Sequence, residues 1–341
     1  MKPTRDKSSP ARIGDAERAP ADRPRIDCDA APDPAEALAG GLYDGFDRDT
    51  KTALDLASQP QTPRQSSGDG PIVRVCNLHK SFGRHQVLRG IDLDFERGKT
   101  TVILGPSGTG KSVLLKHIVG LIKPDEGEVY FDSERVDQLK EPELVPVRKR
   151  IGYMFQLGAL FDSMTIGENV AFPLVEHTGM DPPRREACVR RVLGLVGLDG
   201  YQDKMPSELS GGQQRRVALA RAVVLQPCLV LYDEPTTGLD PVRADVINEL
   251  ILALTRQMGI SSIVVTHDIA SANKVADRMI LLHEGEVICD GRPEQVREST
   301  NAVVQRFIHG EADEQDLDAI RRAFAGRAQA PPLFEQQRQD P

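Results

Sequence analysis

Tryptophan is absent from the 341 residues and aromatic side chains make up only 4%, so no row of stacking platforms exists for single-stranded nucleic acid. A net charge of -8 supplies no general attraction to a polyanion, which leaves at most a local basic patch. No stretch approaches the roughly 18 apolar residues that a membrane-crossing helix requires. The opening MKPTRDKSSPARIGDAERAP has no apolar h-region, and its recurring acids do not suit an organelle transit peptide. Five cysteines (Cys28, Cys76, Cys188, Cys228, Cys289) are scattered without metal-ligand spacing, a pattern of buried thiols in a reducing compartment. No internal repeat is visible. The expected setting is the cytoplasm of a bacterium.

Residues 1–70 are rich in Pro, Ala, Asp, Ser and Gln, and their few apolar residues are not periodic apart from ALAGGLY. This predicts a disordered tail, with a short binding motif around Leu42–Tyr43 as the alternative to an idle one. Order is expected from Ile72. IVRVCNLHKSF and QVLRGIDLDFERG read as two strands joined by a turn, TTVILG as a buried strand, SVLLKHIVGLI as a helix and GEVYFD as another strand. CLVLYDE, SSIVVTHD and RMILLHEGEVICDG read as further strands, with helices after the first two. Alternating strands and helices predict an α/β fold: a parallel-sheet core, an antiparallel β flank, and a helical insert over about 157–215. Within it, 176–200 reads as mostly helical, starting near Pro182 and Pro183 and stopping near Gly200. AVVQRFIHG and DEQDLDAIRRAFAGRAQ predict two late helices before a loose end, so 311–341 reads as a C-terminal extension.

GPSGTGKS, Gly105–Ser112, lies between an apolar strand and a helix, the full P-loop pattern in its proper context. A turn through Gly105, Pro106, Ser107, Gly108, Thr109 and Gly110 would expose successive N–H groups toward a β-phosphate, and the following helix adds its positive end. Lys111 would reach the β- and γ-phosphates, and Ser112 would hold Mg²⁺. The partner acid belongs at another buried strand end, and CLVLYDE supplies Asp233 for Mg²⁺ and Glu234 as general base toward water. His267 follows SSIVVT at the same predicted edge, fit either to meet a γ-phosphate and orient Glu234 or to be an ordinary hydrogen-bonded histidine. Gln156 follows IGYMF and is a candidate for sensing Mg²⁺ or water.

LSGGQQRRVALARA, Leu209–Ala222, opens a second helix with Ser210, Gly211 and Gly212. One chain already has a cradle for the phosphates. A second anion-binding helix start makes sense if it closes on nucleotide held by another copy, so that two ATP molecules lie between two chains arranged head to tail.

This set resembles the ATP-binding cassette ATPases over about residues 71–310. GPSGTGKS matches Walker A, Gln156 the Q-loop, LSGGQ the signature with Gln213 as its last residue, LVLYDE Walker B and the catalytic glutamate, and His267 the switch histidine. Gly238-Leu239-Asp240 matches the D-loop, which implies that Asp240 crosses a dimer interface. Phe82 in KSFG is similar to the aromatic that stacks on adenine; a strand-end core residue is the other reading. The resemblance implies a P-loop NTPase of the cassette type using ATP and Mg²⁺. Repair-type relatives interrupt their cassettes with long coiled coils and translation-factor relatives carry two, whereas this chain has one cassette and no sustained heptads. A transporter ATPase that relies on a separate permease is therefore expected, on the cytoplasmic face of the bacterial inner membrane.

FQLGALFDSMTIGENVAFPLVEHT, Phe155–Thr178, resembles the Mla/Mce-associated ATPases, which move phospholipids or sterols between bacterial membranes. The resemblance implies a second copy, a multi-span Mla/Mce-type permease and a small STAS-domain protein as partners, and a C-terminal tail reaching around the partner ATPase, with Phe307 and Phe324 as anchors. Leu160, Phe161 and Phe172 would line a groove for a permease helix, with Asp162 and Glu168 fixing its register; the phenylalanines as plain core residues are the alternative. Gln213 departs from this branch, which often has Met there, and favours an importer of small polar solutes. A nucleotide-dependent assembly or repair module is the third reading.

Overall fold

The computed structural model describes residues 70–156, 158–312, 317–318 and 321–322. The expected tail over 1–70 (apart from Gly70), the anchor Phe324 and most of the expected helix in 313–329 lie outside the described residues.

Ten strands and nine α-helices are described. Strands β1 (Val73–Phe82), β2 (His85–Phe95), β4 (Glu126–Phe131) and β5 (Glu134–Arg135) form an antiparallel sheet in the order β2-β1-β4-β5. The second sheet runs β10-β9-β3-β8-β7-β6, from β3 (Thr100–Leu104), β6 (Ile151–Met154), β7 (Leu229–Asp233), β8 (Ser261–Thr266), β9 (Arg278–His283) and β10 (Glu286–Gly291). All its neighbours are parallel except β9 and β10. That pair turns through Glu284 and Gly285, both at positive φ, as a two-residue hairpin with the strands' right-handed twist requires.

The parallel strands read as unbroken apolar runs because both faces are covered. Val102, Leu104, Val230, Tyr232 and Val264 point into one core, while Ile103, Leu229, Leu231, Ile263 and Val265 point into the other. The second core is closed by the antiparallel sheet and by helix α1 (Lys111–Ile118). The first is closed by α3 (Ile166–His177), α4 (Pro182–Leu195), α5 (Gly211–Val223) and α6 (Pro241–Met258). Helices α7 (Ile269–Val275), α8 (Pro293–Arg297) and α9 (Ala302–His309) follow. Phe307 of α9 packs partly buried on the first core. No described helix is long and apolar enough to cross a membrane.

Two local features depart from the sequence reading. Helix α4 stops at Gly197 rather than Gly200: Leu198 N–H donates to Leu193 O at 2.9 Å and Gly197 N–H to Gly194 O at 2.9 Å. Gly197 takes the left-handed φ and buried Leu198 sinks into the core, a Schellman end. Helix α2 (Glu141–Arg148) was not anticipated, since Pro142 and Pro146 obscure its pattern. It is held by Glu143, which accepts from Lys140 N–H at 2.8 Å, and by Arg148, which reaches Glu141 at 2.7 Å and Val119 O at 3.0 Å.

His117, near the end of α1, is fully buried and its Nδ1 donates to Val113 O at 2.8 Å. Burial lowers its pKa from the ordinary 6.5. The folded state resists a proton that the unfolded chain accepts, so His117 contributes full stability above about pH 6.5. That contribution declines as pH falls from there toward the lower folded value. The urea midpoint of wild type should therefore drop between pH 7.5 and 5.5 by more than that of His117→Asn; equal drops would remove His117 as the cause.

Candidate functional site

Four parallel strands deliver the predicted residues to one edge. β3 runs into Gly105–Ser112, β7 ends in Asp233 and Glu234, β8 leads to His267, and β6 leads to Gln156. The strand order places β8 between β3 and β7, with β6 beyond β7, so all four turns neighbour one another at the carboxyl side of the sheet.

The phosphate turn exists because its glycines have no Cβ. Gly105, Gly108 and Gly110 all take positive φ. A Cβ on Gly105 would lie 2.2 Å from Leu282 O, and one on Gly110 2.7 Å from Leu88 Cδ2. Pro106, Ser107 and Gly108 are exposed and Thr109 half-buried, its hydroxyl donating to Pro106 O at 3.0 Å. Lys111 folds back over the turn, donating to Gly105 O at 2.7 Å and Pro106 O at 2.8 Å. Burial holds its ammonium below the ordinary lysine range, against the opposing pull of Glu234 and Asp233. Ser112 Oγ donates to Asp233 Oδ1 at 2.6 Å, so the two expected Mg²⁺ donors already meet, and both are hard oxygens of the kind that ion takes.

Glu234 is buried and gathers three partners. Thr237 Oγ1 donates to its Oε2 at 2.8 Å, His267 Nδ1 lies 2.9 Å from the same oxygen, and Lys111 Nζ stands 4.0 Å from Oε1. Its backbone sits at φ 53, costly for a side chain with a Cβ and held here by Glu234 N–H donating to Val265 O at 2.9 Å. His267 is half exposed, so it spans from the buried carboxylate to solvent. Gln156 is exposed and makes no hydrogen bond to the others.

Residues missed in the sequence support this centre. Tyr153 Oη donates to Asp233 Oδ2 at 3.3 Å, and burial raises its pKa far above the ordinary value, so it stays a donor. Arg215, buried on α5, donates to Thr237 O at 3.0 Å. Thr237 was legible only as the residue three after Glu234, the spacing at which a turn brings a hydroxyl back to a carboxylate.

The second anion-binding element stands apart in its own hydrogen bonding. Ser210 caps α5, its Oγ accepting from Gln213 N–H at 3.4 Å while Gln213 Oε1 accepts from Ser210 N–H at 2.9 Å. Gly211 is exposed, and a Cβ on buried Gly212 would press on Arg243 at 3.3 Å. Among the described residues, no side-chain bond joins Ser210–Gln213 to Gly105–Ser112. Asp240 is exposed and caps α6, accepting from Arg243 N–H at 3.1 Å.

Of the expected adenine and docking residues, Phe82 is 50% exposed with Lys80 Nζ 5.6 Å from its ring centre. Phe161 is 40% exposed, stacks on Phe172 with ring centres 4.9 Å apart and has the Arg221 guanidinium 5.7 Å away. Glu168 is exposed, and its carboxylate accepts from Thr165 N–H at 2.7 Å in the box that starts α3.

A family model described as ABC transporter matches residues 88–237. Over 242 residues, 71% of this chain and 92% of the relative, the chain is 42% identical to the intermembrane phospholipid transport system ATP-binding protein MlaF of Haemophilus influenzae. Over 252 residues, 74% of this chain and 70% of the relative, it is 39% identical to the probable ribonucleotide transport ATP-binding protein mkl of Mycobacterium tuberculosis. It also superposes, with a TM-score of 0.61 and 36% identity over 65% of this chain and 98% of the other, on the ATP-binding cassette MJ0796, solved as a post-hydrolysis dimer bound to ADP and Pi. Sustained identity over nearly the whole MlaF relative, on a sheet edge built for a triphosphate, places this chain in the ABC transporter family as an ATP-binding and ATP-hydrolysing subunit.

Proposed function

We propose that the chain powers movement of phospholipid or another lipid between bacterial membranes, as the peripheral ATPase of a complex with a separate multi-span permease at the cytoplasmic face of the inner membrane. The observation that carries the lipid reading is the 42% identity to MlaF over 92% of its length. The cassette is assigned 71–310, with its helical subdomain at about 157–215. Two copies pair head to tail, the P-loop of one facing the Ser210–Gln213 helix start of the other, with Asp240 at the seam; the dimeric cassette with ADP and Pi supports this arrangement.

In the cycle, Lys111 leaves the Gly105 and Pro106 carbonyls for the β- and γ-phosphate oxygens. Gly211 and Gly212 of the opposing copy present their N–H groups to the γ-phosphate. Glu234 accepts a proton from the water that attacks the γ-phosphorus in line, while Thr237 and His267 hold its carboxylate toward that water. Ser112 and Asp233, with Gln156, would hold Mg²⁺, which when bound neutralises charge on the phosphate oxygens. Hydrolysis and phosphate loss open the pair, and motion passes to the permease through 156–174.

A second reading, an importer of small polar solutes, draws on Gln213 and on the mkl relative. Purification from detergent-solubilised membranes discriminates them: a multi-span Mla/Mce-type permease, with a small STAS-domain protein, should copurify. A solute importer's permease in its place would overturn the lipid reading. In the reconstituted complex, Phe161→Ala combined with Asp162→Ala should lower lipid-driven turnover about tenfold, the scale of losing a central interface anchor, with ATP affinity unchanged. Normal lipid-driven turnover would move the docking surface elsewhere.

A further inference from the structure

At the end of β1 the chain passes through Lys80, Ser81 and Phe82, and one carboxylate organises this stretch. Asp125 accepts from Lys80 Nζ at 2.7 Å through Oδ1 and from Ser81 N–H at 2.6 Å through Oδ2. Its own N–H donates to His79 O at 3.0 Å. Lys80 Nζ also donates to Lys123 O at 2.9 Å, and its side chain is only 14% exposed. The ammonium is therefore fixed in place with its charge answered by Asp125, which makes it a poor hook for phosphate. It faces the Phe82 ring at 5.6 Å, within cation–π reach, while half of Phe82 remains open to solvent.

We infer that Lys80 and Asp125 form a clamp that presets the Phe82 ring for the nucleotide base, which makes Lys80 a positioning residue for adenine affinity. The inference rests on Phe82 being the base platform. An exposed phenylalanine at a strand end has rotamer freedom to lose when a base stacks on it. A cation held over one face removes part of that freedom before binding and leaves the opposite face for the purine. The clamp also ties base to phosphate: Lys123 and Asp125 follow α1 by a short loop, and α1 begins at the phosphate-binding Lys111. Leu121 N–H and Ile122 N–H both donate to Lys116 O, at 2.9 and 3.3 Å, so the loop that carries Lys123 and Asp125 is tied to the end of that helix.

The test measures KM and kcat for ATP, and affinity for inorganic tripolyphosphate, which lacks a base, in Phe82→Ala, Lys80→Gln, Lys80→Arg and Asp125→Asn. Phe82→Ala should raise KM about tenfold, the scale of one base–aromatic stack. Lys80→Gln should raise it about threefold, as a cation–π contact at a partly exposed site implies, with kcat within twofold and tripolyphosphate affinity unchanged. Lys80→Arg, which keeps both the pair and the ring contact, should restore the wild-type KM, and Asp125→Asn should behave as Lys80→Gln does. A raised KM in Phe82→Ala with wild-type KM in Lys80→Gln and Asp125→Asn would overturn the clamp and leave the platform standing. Tripolyphosphate affinity falling in step with ATP affinity in Lys80→Gln would make Lys80 a phosphate contact and also overturn it. Wild-type KM in Phe82→Ala would remove platform and clamp together.

Discussion

Replacing Glu234 with Gln should lower ATP turnover by about 10²- to 10⁴-fold, the range of a lost general base, while ATP still binds. The substitution is nearly isosteric, and the amide oxygen can still accept from Thr237, whose hydroxyl lies 2.8 Å from Oε2. What disappears is the basic oxygen that, in the proposed cycle, takes the proton from water. Affinity for ATP should hold or rise, because a negative charge 4.0 Å from Lys111 Nζ no longer competes with the triphosphate for that ammonium. With binding intact and cleavage blocked, the ATP-loaded protein should accumulate as a dimer. Phosphate release, nucleotide titration and size-exclusion chromatography with ATP check the three parts. Turnover at the wild-type rate would take Glu234 out of its role.

Gly105→Ala should abolish measurable ATP binding and lower Tm by about 5–20 °C. Its φ of 151° is one that a side chain rarely adopts, which costs roughly 1–3 kcal/mol. The added methyl would stand 2.2 Å from Leu282 O, a backbone atom of the adjacent strand that no rotamer change can move. Overpacking of this kind costs another ~1–3 kcal/mol, and a domain of this size loses about 2–4 °C per kcal/mol. Relief requires β3 to shift away from β9, and that moves the turn whose N–H groups are proposed to meet the phosphates. Gly98→Ala is the control: it has positive φ but no atom within 4 Å, so it should cost only backbone strain. Differential scanning calorimetry and nucleotide titration on both variants decide the matter; equal losses would show that overlap with Leu282 plays no part.

That Gly105–Ser112, Asp233, Glu234 and His267 meet at one sheet edge was legible because they sit at the ends of buried strands, and buried strands announce themselves as short apolar runs. TTVIL, SSIVVT and the LVLY that precedes Asp233 are buried at every position because both sides of the sheet are covered. The supporting contacts were hidden for a different reason. Tyr153 and Arg215 matter only through tertiary distances to Asp233 and the Thr237 carbonyl, and no spacing rule joins residue 153 to residue 233; Thr237 alone had a local spacing to Glu234. Helix α2 was hidden by its prolines, and the end of α4 by two glycines, Gly197 and Gly200, each able to take the left-handed turn. Only burial of Leu198 selects the first.

The reciprocal box between Ser210 and Gln213 bears on how fast two copies can engage. Methionine at 213 has no oxygen to receive the Ser210 amide at 2.9 Å, so the helix would begin less firmly. With glutamine, the first turn is settled while the chain folds, and the amides of Gly211 and Gly212 keep their heading without a ligand. In the proposed head-to-tail pair, less ordering would then be left for the moment a facing triphosphate arrives, which would lower the entropic barrier to engagement.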